Sequence, residues 1–210
     1  SGSNIILDAS GNAFSNAVTL KADTSGNEAF GNITFVDSGA VDLDSSASAN
    51  GDLYINASTD GAVGGNLSVT ANGDITQNVV LAVTGTTTLV ASGNDITLDT
   101  STNNFATVVI TSGRNVALRD AGAIVLGAAT VSGTYGITAG GAITDSGTQE
   151  IAGVTTLAAG SSNDITLDTS TNNFAAAVVI TSGRNVAITD EDAIVLGAST
   201  VSGTYGITAG

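Results

Sequence analysis

The sequence predicts an all-β chain: a single parallel β-helix, or β-solenoid, of about nine or ten coils. Three observations carry that expectation. The chain repeats itself, its apolar residues alternate with polar ones over short runs, and its 210 residues contain no proline.

The repeat comes first, because self-similarity at a fixed period is the signature of stacked units. The stretch beginning NDITLDTSTNNFA at Asn94 returns at Asn163, and the match continues through SGRNVA and VSGTYGITAG. A diverged copy precedes both. Ile5, Leu7, Asp8, Asn12 and Phe14 align with Ile165, Leu167, Asp168, Asn172 and Phe174. Ile33, Phe35, Asp37, Val41 and Leu43 align with Val186, Ile188, Asp190, Ile194 and Leu196, and Leu67 aligns with Tyr135. Residues 1–210 therefore read as one solenoid segment in three copies. Copy one is 1–93 with an extra segment near 51–63, copy two is 94–162, and copy three, 163–210, is incomplete.

Within a copy, runs such as DITLD, VALR, AIVLG, VVITSG and TTLAAG are separated by Gly, Ser, Asn or Asp. Alternation between turn residues reads as strand, and Val, Ile and Thr dominate where a helix would show a 3.6-residue stripe. About three short strands per turn of roughly 20 to 28 residues describe one coil. Missing proline suits a chain whose backbone donors nearly all enter ladders.

Comparing copies separates inside from outside. Val195 aligns with Asp42 and Val179 with Thr19, so those positions face water. Their neighbours Ile194, Leu196, Val178 and Ile180 stay apolar and face in. Coils stacked at about 4.8 Å would then pile like upon like, giving a rod roughly 45 Å long. Phe14, Phe105 and Phe174 would share one inward station. Asn12, Asn103 and Asn172 would sit at a corner, bonding local backbone.

Composition removes whole classes of chemistry. Without His or Cys there is no zinc site of the usual kind, no disulfide, no thiol nucleophile and no Ser-His-Asp triad. A net charge of -15 repels nucleic acid and anionic membrane surfaces. No run of apolar residues is long enough for a membrane-spanning helix, so no membrane insertion is expected. No signal peptide opens the chain, so a secreted protein would carry this segment inside a longer precursor. An apolar share of 42% argues against disorder.

Segments such as GTYGITAG, VTTLAAG and NDITLDTSTNNF resemble the tandem repeats of filamentous-haemagglutinin-like and related β-strand-repeat bacterial surface adhesins. The resemblance covers nearly the whole chain, most strongly 64–210. It implies a right-handed parallel β-helix, export to the cell surface, and a stalk that carries binding regions outward. The secretion domain and the distinct adhesive domain of that family are not in this stretch, which leaves shaft.

Each site chemistry has a plainer reading. Two carboxylates suffice for glycoside hydrolysis, but Asp8, Asp99 and Asp168 are equivalent, as are Asp37, Asp120 and Asp190. An active site needs one constellation, whereas recurring Asp at strand ends serves turns and solvation. The only cations are Lys21, Arg114, Arg119 and Arg184, and Arg114 and Arg184 share a repeated turn. Asp42 and Asp44 share a face, and Asp190, Glu191 and Asp192 cluster, yet the GGxGxD calcium motif is absent and solvated charge is the expectation. Tyr54 is the one aromatic without a core role, since Tyr135 and Tyr205 align with Leu67. Thr86, Thr87 and Thr88 do not continue as a row, which argues against ice binding.

No catalytic, cofactor or metal residue is therefore expected. Weak, non-specific Ca2+ association with so acidic a rod is the one ion interaction anticipated. The expected function is a non-enzymatic stalk or spacer in a secreted, extracellular surface adhesin, whose host-surface or glycan target lies elsewhere in the parent protein. A fibre or sheath subunit that polymerises end to end or laterally is the first alternative. A carbohydrate-active enzyme fragment is the second, with Asp52 and Asp60 in the irregular segment as its test.

Overall fold

The computed structural model describes residues 4–14, 18–21, 32–44, 52–56, 62–78 and 80–210. Every strand pairing in it is parallel, and no described residue is helical. The strands form two sheets, each with a main path of ten strands, so the fold is an all-β parallel solenoid. Regular stacking occupies about seven turns, carried by the second sheet from Ile75–Gln77 to Leu196–Val201 in sequence order. That is fewer uniform coils than the nine or ten expected. The difference lies near the amino end, where Asp52–Asn56 is inserted between Val18–Lys21 and Val41–Asp44, out of chain order. Of the extra segment, Gly51 and 57–61, including Asp60, lie outside the described residues. Asp52 and Tyr54 are placed by their backbone alone.

A coil here is flatter than three strands per turn would make it. The chain passes from one sheet to the other about every ten residues, and only short accessory strands such as Gln149–Ile151 and Asn173–Phe174 sit at the edges. The second copy makes seven passes: second sheet at Ile96–Leu98, Val116–Asp120, Tyr135–Ala139 and Thr155–Ala158, first sheet at Asn104–Gly113, Ile124–Val131 and Ile143–Asp145. Seven is odd. The third copy must start on the opposite sheet, and it does: Ile165–Leu167, Val186–Asp190 and Tyr205–Ala209 lie in the first sheet. Near-identical sequences thus occupy opposite faces of the rod.

This overturns the expectation that like stacks on like. Phe105 lies in a passage from second sheet to first, whereas Phe14 and Phe174 lie in passages from first to second, on the other edge. All three turn inward, with Phe105 and Phe174 fully buried, but Phe105 lies beside Val83 and Phe174 beside Ile151. Phe14 stacks on Phe35, centroids 5.2 Å apart.

Alternation puts every second side chain into one continuous core. In the second sheet Ile75, Ile96, Val116, Tyr135, Thr155 and Val178 lie in register, with Leu98, Leu118, Ile137, Leu157 and Ile180 alongside, all buried. Val178 and Ile180 face in as expected, and Val195 is 56% exposed, as its alignment with Asp42 required. Leu196 departs from expectation at 46% exposed, and Tyr205 at 37%, because no further coil packs on them; their equivalents Leu126 and Tyr135 are covered.

Candidate functional site

What recurs along the rod is a set of polar ladders joining one coil to the next. An Asn or Asp stands just before eight of the strands, and its Oδ1 accepts the N–H of the residue at the same station one coil further on. Asn4 accepts from Asn32, Asn32 from Asn66, and Asn66 from Thr86, at 2.8–2.9 Å. A second ladder runs from Asp74 to Asp95, Asn115 and Thr134 at 3.0–3.1 Å. A third runs from Asp164 to Asn185 and Thr204. Short Asx side chains suit this station, because they can satisfy a backbone donor where the ladder of the sheet has not yet begun.

The repeated arginines brace two of these rungs. Arg114 Nε and Nη2 donate to Asp95 Oδ1 and Oδ2 at 2.8 and 2.9 Å, and Asn115 Nδ2 adds a bond at 3.0 Å. Arg184 and Asn185 hold Asp164 in the same way at 2.8, 2.8 and 3.0 Å. The Arg114 hydrogen bond, with help from Asn115, lowers Asp95 to about 2, and Arg184 lowers Asp164 further. Both pairs are exposed, so they fix geometry more than they add stability. Sequence reading found the arginines and missed their partners, which lie about 20 residues back, one coil away.

The corner asparagines behave as expected. Asn103 is fully buried; its Oδ1 accepts from Leu81 N and Gln77 Nε2, and its Nδ2 donates to Leu98 O and Gln77 Oε1. Asn172 Oδ1 accepts from Gln149 N, and its Nδ2 donates to Asp145 Oδ2 at 2.7 Å. The less deeply buried Asn12 donates to Leu7 O. A second buried polar knot joins them: Gln149 Nε2 donates to Gly127 O and Gly147 O while its Oε1 accepts from Tyr135 OH. Burial pushes the Tyr135 phenol up, so it stays a donor.

The recurring aspartates split into two kinds. Asp8, Asp99 and Asp168 are exposed, as turn residues should be. Asp37, Asp120 and Asp190 are only 2–3% exposed, which corrects the expectation of solvated charge for Asp190; Glu191 and Asp192 remain outside. Each folds back on its own turn through Oδ1, accepting from Gly39 N, Gly122 N and Asp192 N. In the later copies Oδ2 closes the edge by accepting from Phe105 N and Phe174 N. Burial raises Asp120 despite those bonds. Asp37 breaks the pattern: among the described residues its Oδ2 has no hydrogen-bond partner.

The remaining candidates stay apart. Asp42 accepts from Thr76 Oγ1 at 2.8 Å, and the side chain of Asp44 lies outside the described residues. Thr87 points into the core while Thr86 and Thr88 do not, and Thr88 is flanked by Ser68 and Val109. Among the described residues no group of three or more His, Cys, Asp or Glu is placed to hold a metal ion.

A family model described as repeats of unknown function (DUF5649) matches residues 56–112, 113–181 and 183–210. No curated protein and no solved structure matches the chain significantly.

Proposed function

The chain belongs to this repeat family, and from that premise we propose that it is a mechanical element: a non-catalytic stalk or spacer in an extracellular bacterial surface adhesin or fibre. The observation that carries the reading is the repetition of the inter-coil bracing, Arg114 with Asp95 and Arg184 with Asp164, in matching geometry on successive copies. Residues that recur with their partners, here at two rungs one repeat apart, serve both copies alike, whereas catalysis would need one coil that differs. Backbone ladders along the axis, a continuous core and an acidic coat make a stiff rod that further units can lengthen. The resemblance to filamentous-haemagglutinin-like repeats supports the surface setting.

The test is length. Chains with one, two and four units between a surface anchor and a fluorescent tip should lengthen by about 17 Å per unit, from three and a half coils at about 4.8 Å. A tip distance that does not grow linearly with unit number would overturn the spacer.

A further inference from the structure

We propose that Asn72 is a self-modifying site, at which the chain converts its own asparagine into isoaspartate and aspartate without an enzyme, independent of the spacer role. The reaction closes a five-membered ring when the next residue's backbone nitrogen attacks the side-chain amide. It needs a side chain free to turn, a backbone N–H free to lose its proton, and no Cβ on the following residue to obstruct the approach.

All three conditions meet at Asn72 and Gly73. Asn72 is exposed, its side-chain amide makes no hydrogen bond among the described residues, and it faces an open groove beside Ser38 and Ser92. The Gly73 N–H likewise has no partner among the described residues. The second copy shows why. Asn72 and Gly73 align with Gly140 and Gly141, and Gly39 aligns with Gly122. There Gly140 N donates to Asp120 O and Gly141 N to Gly122 O. In the first copy Asn72 N takes the Gly39 carbonyl at 3.0 Å, one residue earlier, and Gly73 N is left over. Packing keeps the glycine in place, since a Cβ on it would stand 2.7 Å from Ala40 N. Elsewhere the chemistry is held back. Asn94, Asn103, Asn115, Asn163, Asn172 and Asn185 each donate Nδ2 to a neighbour, and none of them precedes a glycine. The other Asn-Gly pair, Asn50 with Gly51, lies outside the described residues.

The atoms balance without a co-reactant other than water. Gly73 N gives up its proton and bonds to Asn72 Cγ; the Cγ–Nδ2 bond breaks, and Nδ2 leaves as ammonia with that proton. One water then opens the ring. Attack at Cγ leaves aspartate on an unchanged main chain. Attack at the main-chain carbonyl leaves isoaspartate, with the chain running on through Cγ and one atom longer. That longer chain cannot keep both Asn72 N on Gly39 O and Asn72 O under Asn94 Nδ2. The turn between Leu67–Ala71 and Ile75–Gln77 therefore loosens with age, and the second copy, with Gly140 in this place, is spared.

The experiment ages the full chain in mildly alkaline buffer, native and in guanidinium chloride. Peptide mapping with electron-transfer fragmentation separates isoaspartate from aspartate and Asn72 from Asn50. The expected result is first-order loss of Asn72 in the native chain, at a rate within about tenfold of the unfolded rate, with the six bonded asparagines intact. Asn72→Gln, whose ring would have six members, should slow loss at that position at least about tenfold. Hydrogen exchange at the residue-72 amide should be faster in the aged native chain than in the fresh one. A native Asn72 rate more than about tenfold below the unfolded rate, native loss at the bonded asparagines as fast as at Asn72, an unslowed Asn72→Gln, or unchanged exchange at residue 72 once isoaspartate has formed would overturn the proposal.

Discussion

Two buried threonines give the sharpest test of how the core is built. Thr155 is fully buried, flanked in register by Tyr135 and Val178, and its Oγ1 has no hydrogen-bond partner among the described residues. Thr87, its equivalent in the first copy, is buried between Leu67 and Val108 with the same orphan hydroxyl. An unsatisfied buried hydroxyl costs about 1–3 kcal/mol, and valine replaces it at nearly the same shape with a better strand preference. Thr155→Val should therefore stabilise the chain by about 1 kcal/mol, raising Tm by about 2–4 °C for a chain of this size. Thr87→Val should do the same, and the two should add, since they lie in opposite sheets. Thr156→Val, on the outward side, is the control and should change little. Differential scanning calorimetry on the parent chain, the three single variants and the Thr87→Val/Thr155→Val double variant decides it. A fall in Tm for both inward variants would mean that these hydroxyls are satisfied and that the stacking register is misassigned.

Other outcomes follow from the ladders. Asn103→Ala removes the partner of Leu81 N and of the Gln77 amide, and should cost about 3 kcal/mol in urea unfolding. Gly153→Ala should cost about 1–3 kcal/mol in the same assay, because a Cβ there would stand 2.3 Å from Gly133 O on the preceding coil. For pH, Asp95 is depressed to about 2, so the stabilisation from its pairing is complete above the ordinary carboxylate range and is lost as pH falls through about 2. Asp95→Asn should lower Tm slightly at neutral pH and match the parent chain below that point. Asp120 runs the other way: burial raises its pKa, so a stability cost grows as pH rises through its titration, and Asp120→Asn should flatten that part of the Tm profile.

Much of this architecture could be read from residue order. Parallel strands, inward Val178 and Ile180, outward Val195 and the corner role of Asn103 all follow from alternation and from comparing copies. The sheet assignment did not follow. Ile96–Leu98 and Ile165–Leu167 share one sequence, and nothing local says that they face opposite ways; that depends on an odd number of passes per unit, which only the closed coil reveals. Asp95 and Asp164 escaped notice because their partners Arg114 and Arg184 are distant along the chain and adjacent only after stacking. A usable signal was present: Asn, Asp or Thr immediately before Ile33, Leu67, Ile75, Ile96, Val116 and Tyr135 marks the ladder station. The difference at Asp37 was hidden because it aligns with Asp120 and Asp190, and only the folded chain shows that its Oδ2 lacks the backbone donor that the other two have.

The central claim is that consecutive repeats present equivalent side chains on opposite faces. The chain has no cysteine, so spin-label pairs can be placed freely. Ala117 and Val179 lie in the second sheet three rungs apart, and labels there should be about 15 Å apart. Ala117 and its repeat equivalent Ala187 lie in opposite sheets. Three and a half coils along the axis, a sheet separation of about 10 Å and labels pointing outward should place that pair near 30 Å. A long distance for Ala117–Ala187 beside a short one for Ala117–Val179 is the predicted result; similar short distances for both would put the repeats on one face and contradict the account.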